Sequence, residues 1–226
     1  MNATIQEKTD TPSSIPMIRA LAGIAMISGL LIVMAFQITL PTIKKNKAIA
    51  LQKAIFEVVP HTTKVANFLL AGDSVTPVKE PSDKGIMLFA AYDNEGNLTG
   101  VAVEASGQGY ADKIKVLYGY SPEQQAVVGM KVLESKETPG LGDKIEIDET
   151  FRKNFEKLDV TLNDSLDGLL NEVATVKQGT KTHPWQIDGI TGATISTKAI
   201  GKLMNQSTQQ MVPLINKNLT RLRGEK

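Results

Sequence analysis

The hydrophobic and polar positions divide the chain into one apolar run and a patterned remainder. Residues 20–40 carry no charge and lie between Arg19 and Pro41. No polar stripe breaks the run, so a helix built from it is apolar on every side. Such a helix extends roughly 31 Å at about 1.5 Å per residue, which matches a bilayer core of about 30 Å. The run is also too long for the roughly 7 to 15 apolar residues of a cleaved signal peptide. An uncleaved single span is therefore expected, with a tail at 1–19, the span at 20–40 and one folded domain at 41–226. Beyond the span, Ile43, Ala50, Leu51, Ala54, Ile55, Val58 and Val59 follow a helical spacing that stops at Pro60, predicting a second helix that leaves the membrane and packs on the domain. Apolar runs at 86–92 and 98–105, separated by Asp93, Asn94, Glu95, Gly96 and Asn97, predict a hairpin. Two more strands are expected at 114–120 and 126–134, with Ser121 and Pro122 opening the turn between them. A polar helix follows near 149–157. A last helix begins after Thr194, its apolar stripe formed by Ile200, Leu203, Met204, Met211, Leu214 and Ile215, and Pro213 is expected to kink or restart it. Strands followed by flanking helices predict an α+β fold, a mixed α/β layer.

Composition narrows the chemistry. The 226 residues include no cysteine and two histidines, His61 and His183. Disulfides, thiolate zinc or iron–sulfur sites, cysteine-attached haem and thiol nucleophiles are thereby excluded. No metal centre and no catalytic residue is assigned. A formal charge of +1 with 22% charged residues gives none of the basic footprint that nucleic-acid binding needs. Charge bears on orientation as well. Lys8 and Arg19 precede the apolar run, whereas Lys44, Lys45, Lys47 and Lys53 follow it, so the positive-inside tendency alone places the domain in the cytoplasm.

Two segments carry candidate chemistry. Asp188-Gly189-Ile190-Thr191-Gly192-Ala193-Thr194-Ile195-Ser196-Thr197 joins small and hydroxyl residues to the start of the last helix. A helix N-terminus offers unpaired N–H groups and the positive end of its dipole, which suit a phosphate. The plainer alternative is an N-cap from Thr191 or Thr194. A nucleotide-hydrolysing P-loop is excluded, because Gly201-Lys202 is followed by Leu203 and Ser196 stands where the first glycine belongs. A hydrolase built from Ser196 or Thr197 with His183 and Asp188 has nothing in the sequence to fix its geometry. The second segment is Glu137-Thr138-Pro139-Gly140-Leu141-Gly142, where proline before glycine suits a type II turn. That turn is either plain surface or a device that presents backbone N–H groups and the Leu141 side chain to a flat ring. Trp185, in His183-Pro184-Trp185, either covers such a ring or packs as buried surface. His183 has no evident partner and reads as a surface residue.

The string from Asp188 to Thr194 resembles the Dxx(S/T)GAT flavinylation motif of the FMN-binding domain family, which includes the G subunit of the Rnf electron-transport complex and the C subunit of the sodium-pumping NADH:quinone reductase. Residues 137–142 resemble the ETPGLG loop of the same two subunits, and Gly109-Tyr110 also looks like its Rnf member. The resemblance covers essentially the whole chain, with Ser135 a departure where relatives often have histidine. It implies FMN as the cofactor, joined by a phosphoester to Thr194, with Asp188, Thr191, Gly192, Ala193, Glu137, Thr138, Gly140 and Leu141 around it. It also implies a flavin transferase with FAD as donor for maturation, and the other subunits of an Rnf-type membrane complex as partners. The location it implies is the bacterial inner membrane with the domain on the extracytoplasmic side, against the lysine count above. The function that follows is electron relay in an ion-translocating oxidoreductase working between ferredoxin and NAD. The quinone-reductase C subunit is the nearest alternative. A membrane-anchored module that binds a phosphate-bearing ligand without passing electrons is the alternative from another class.

Overall fold

A computed structural model describes residues 14–79 and 85–224; most of the expected tail at 1–19 lies outside these. The chain falls into two units, Met1–Ile49 and Ala50–Lys226. The helix α1, Ile15–Val58, begins in the first and contains Pro41. Its most apolar stretch has a mean hydropathy of 2.2 with none of it buried. Among the described residues this is the one helix long and apolar enough to cross a membrane.

The two helices expected on either side of Pro41 are one. Proline forfeits a backbone hydrogen bond there, but Leu40 and Thr42 beside it are not turn formers and nothing nearby supplies a break. Thr39 turns its hydroxyl back onto the Ala35 carbonyl at 2.8 Å, a local bond that a helix accommodates.

In the second unit, β1 (Lys64–Ala71), β2 (Ser74–Val78), β3 (Ile86–Tyr92), β4 (Leu98–Gln108), β5 (Lys113–Ser121), β6 (Ala126–Glu134) and the short β7 (Leu158–Asp159) form one antiparallel sheet. Its order is β2-β1-β3-β4-β5-β6-β7. Side chains alternate along each strand, so Leu88 and Ala90 serve one face while Phe89 and Ala91 serve the other. Ala54, Ile55 and Val58 at the end of α1 cover the second face. The first face is covered by α4, Thr194–Lys217, through Ile200, Leu203, Met204, Met211, Val212 and Ile215. The sheet thus has helices on both faces, an α+β fold as expected.

Pro213 neither ends nor restarts α4, which runs on to Lys217. Met211, Val212 and Ile215 around it are almost wholly buried, and burying a side chain of that size gains about 1.5 to 3 kcal/mol. Three such anchors outweigh the roughly 3 kcal/mol that proline costs in a helix interior. The polar helix expected near 149–157 is the shorter α3 (Glu149–Lys153), and another short helix, α2 (Lys144–Ile147), precedes it. Asp148 divides them by accepting a hydrogen bond from the Phe151 N–H at 2.8 Å, as an N-cap does. Two further strands, β8 (Ala174–Val176) and β9 (Gln186–Asp188), pair in parallel apart from the main sheet. The helix α5, Leu219–Leu222, ends the described chain.

Candidate functional site

The segment that opens α4 is fixed by side chains drawn from three other places. At the end of β9, the Asp188 carboxylate accepts the Gly179 N–H at 2.8 and 2.9 Å. Its backbone N–H donates to Asn154 Oδ1 at 2.9 Å, and its carbonyl accepts from Asn154 Nδ2 at 3.1 Å. Lys181 Nζ donates to the same Asn154 oxygen at 3.2 Å. Partial burial pushes the Lys181 ammonium below its ordinary pKa, and the Asp188 charge opposes that shift. Next, the Thr191 N–H donates to Gln178 Oε1 at 2.9 Å. Gly192 takes φ of +86°, and the Ala193 N–H returns to the Ile190 carbonyl at 3.1 Å. A side chain is strained at that φ, which is why glycine stands there.

The turn delivers Ala193 as the N-cap residue, with no side-chain cap, and Thr194 as the first helical residue. Neither Thr191 nor Thr194 is the N-cap side chain allowed for above. The hydroxyls that follow have separate fates. Thr194 is exposed. Ser196 and Thr197 are 3% and 1% exposed, and Thr197 Oγ1 donates to the Thr194 carbonyl at 3.1 Å.

The loop after β6 is a second turn of the same kind. The Leu141 N–H donates to the Thr138 carbonyl at 3.1 Å, with Pro139 and then Gly140, at φ of +77°, between them. This is the type II turn that the Pro-Gly pair predicted. The Gly142 N–H also goes to the Thr138 carbonyl, at 3.0 Å. The Leu141 and Gly142 N–H groups are therefore used inside the loop. Leu141 itself is 52% exposed.

Glu137 brings the two segments together. It is 6% exposed. Its Oε1 accepts the N–H groups of Tyr110 and Ala111 at 2.8 and 3.1 Å, and its Oε2 accepts the Ser196 hydroxyl at 2.5 Å. The Ser135 hydroxyl accepts the Glu137 N–H at 3.2 Å. Ser196 as a bridging residue, and Asn154 and Gln178 as supports, were not singled out for these roles from sequence. They sit 59, 34 and 13 residues from their partners, beyond any local pattern.

The arrangement suits a phosphate-bearing cofactor with a flat ring. Thr194 offers a hydroxyl at the head of a long helix, where the dipole favours negative charge. The exposed side chains of Tyr110, Leu141 and Ile195, from the elements that Glu137 joins, supply apolar surface. Among the described residues, Asp143 Oδ1 is a buried side-chain oxygen without a hydrogen-bond partner. Trp185 is placed differently. His183 stacks on it, with ring centroids 4.4 Å apart and planes 4° apart, so the histidine read as lacking a partner has one. A Ser196–His183–Asp188 hydrolase is not assembled, since each of the three is engaged elsewhere.

Residues 109–209, which contain both turns, match the FMN-binding domain family. The chain is 26% identical over 192 residues to the G subunit of the ion-translocating oxidoreductase complex of Methanosarcina acetivorans, covering 85% of this chain and 91% of that protein. It is 34% identical over 140 residues to the protein of the same description from Haemophilus influenzae, covering 60% of this chain and 61% of that one. The crystal structure of the C subunit of Na(+)-translocating NADH-quinone reductase from Parabacteroides distasonis superposes with a TM-score of 0.58 at 19% identity, over 78% of this chain and 95% of that one. That likeness is one of fold.

Proposed function

Given an FMN-binding domain over residues 109–209, we propose that this chain is the membrane-anchored, electron-carrying subunit of an ion-translocating oxidoreductase of the kind its relatives are named for, and that its FMN is held covalently by Thr194. One observation carries the attachment. Of the three hydroxyl residues in the first turn of α4, Thr194 alone is exposed, while Ser196 and Thr197 are buried and bonded. Thr191 is exposed as well, but it precedes the helix.

Attachment needs a flavin transferase with FAD as donor. The Thr194 oxygen forms a bond to the flavin-side phosphorus, the bond from that phosphorus to AMP breaks, and the hydroxyl proton leaves with AMP. Bound FMN supplies reversible one- and two-electron chemistry that the side chains of a cysteine-free chain do not. The protein's share is position and environment. Thr194 would hold the phosphate end, and the loop at 137–142 with Leu141 would border the ring. Asp188, Thr191, Gly192 and Ala193 shape the turn that presents Thr194, and Thr138 and Gly140 shape the other.

The apolar part of α1 anchors the domain by a single span in the bacterial inner membrane, with the domain on the extracytoplasmic side and the other subunits of an Rnf-type complex as partners. A C-terminal alkaline phosphatase fusion is then active; an inactive one, paired with a fluorescent cytoplasmic reporter, reverses the orientation. The attachment is tested by co-expressing the chain with a flavin transferase. A denaturing gel shows a band fluorescent under ultraviolet light, and Thr194→Ala abolishes it. A dark band in the parent chain favours the binding module that passes no electrons.

A further inference from the structure

A carboxylate that shapes a cofactor site either touches the cofactor or holds the residues that do. The surroundings of Glu137 decide between these. Three of its acceptor positions are filled, by the N–H groups of Tyr110 and Ala111 and by the Ser196 hydroxyl. Backbone closes on it from both sides. A Cβ at Gly109 would lie 2.4 Å from Oε1, and one at Gly142 would lie 2.7 Å from Oε2 and 2.8 Å from the Ser196 hydroxyl. With 6% exposure there is no face left for a ring.

We propose that Glu137 is a positioning residue, which clamps the 137–142 loop to the first turn of α4 and so sets where Thr194 stands relative to Leu141, without touching the cofactor. This rests on Thr194 being the attachment residue and replaces the expectation that Glu137 itself binds FMN. The coupling is short. Ser196 lies two residues beyond Thr194 in the same helical turn, and Gly142 lies one residue beyond Leu141. One carboxylate therefore fixes both walls of the site. Both glycines are needed for the approach, because any side chain at either position meets the carboxylate.

The role makes the amide a sufficient substitute. In Glu137→Gln, the amide oxygen still accepts both N–H groups, and the amide nitrogen donates to a Ser196 hydroxyl that has turned round. In Glu137→Leu, nothing bridges.

The test uses the full chain in detergent with its flavin transferase and FAD. It follows adduct formation by intact mass, and the bound flavin by fluorescence anisotropy and midpoint potential. Glu137→Leu is expected to slow adduct formation at least tenfold and to lower the anisotropy of whatever forms. Glu137→Gln is expected to restore rate, anisotropy and potential to within twofold or within error of the parent. Ser196→Ala, which removes one bond and leaves the fold, is expected to slow the reaction severalfold, and carries the test if Glu137→Leu does not fold. A parent rate in Ser196→Ala, or a shifted potential in Glu137→Gln, overturns the proposal, the latter because it places the charge against the cofactor. Retention of the adduct in Thr194→Ala instead overturns the attachment residue, whatever the Glu137 variants do.

Discussion

Two turns that Glu137 ties together share one backbone design and use it for opposite ends. In residues 138–141 and again in residues 190–193, a glycine at positive φ occupies the third position, and the fourth N–H returns to the first carbonyl at 3.1 Å. The first turn is followed by no long helix and leaves an apolar side chain, Leu141, half exposed. The second buries its last residue, Ala193, and leads straight into α4, so that the next residue shown to solvent is a hydroxyl. The difference lies in the supports. The first turn rests on its own Thr138 carbonyl. The second rests on the side chains of Asn154 and Gln178 and on the Asp188 carboxylate. One turn is thus suited to cover a ring and the other to hold a phosphate, although both place a glycine third.

Substitutions should separate the two turns. The largest effect is expected from Asn154→Ala. Asn154 is 5% exposed and holds both backbone groups of Asp188, and each buried group left unpaired costs about 1 to 3 kcal/mol. Thermal unfolding of the flavin-free chain measures this loss, and adduct formation should fall with it, while the Pro139-Gly140 turn stays intact. Gly192→Ala comes next. A Cβ there meets nothing within 4 Å, so the cost is conformational alone, roughly 1 to 2 kcal/mol at positive φ. Gly140→Ala carries the same intrinsic cost for the same reason, so the two variants lose similar stability. Only Gly192→Ala should slow attachment, and equal slowing in both would erase the distinction between the turns.

Smaller effects belong to the ring side. Leu141→Ala strips apolar cover and admits water, which favours whichever redox state carries charge. The variant should remain flavinylated, with a midpoint potential raised if the reduced state is the charged one. Thr138→Val leaves the carbonyl that closes the turn and removes the hydroxyl. A hydroxyl that bonded the bound cofactor would, on its loss, forfeit about 0.5 to 1.5 kcal/mol and shift a one-electron potential by tens of millivolts, since about 59 mV is a tenfold change. Spectroelectrochemical titration reads both. Lys181→Met should change stability by less than about 0.5 kcal/mol, because burial already disfavours the ammonium that Asp188 attracts.

Where a local pattern existed, it was legible. Strands β3 to β6 are seven to eleven residues long and carry apolar runs, and the two glycine turns carry their own chemistry in Pro139-Gly140 and Gly192. The hairpin of β1 and β2 went unseen because β1 is only fitfully buried along its length and β2 spans five residues. The parallel pair of β8 and β9 has three residues in each strand, too few for a period, and parallel pairing is set by the crossover rather than by the strand itself. Pro213 is expected to kink or restart its helix because proline's local cost is visible in sequence, whereas the burial that outweighs it is not. The same holds for the site. Thr194 and the two turns stand out in the sequence, while the Glu137–Ser196 hydrogen bond joins residues 59 apart and no spacing announces it.

The central claim is that Thr194 holds FMN, and locating the flavin on the chain tests it most directly. Cleavage after Lys181 and Lys198 releases one peptide containing Thr191, Thr194, Ser196 and Thr197. Tandem mass spectrometry of that peptide, from the chain made together with its flavin transferase, should find the added mass of one FMN less one water on Thr194 alone. The same mass on Thr191, Ser196 or Thr197, or a peptide without it, would contradict the account.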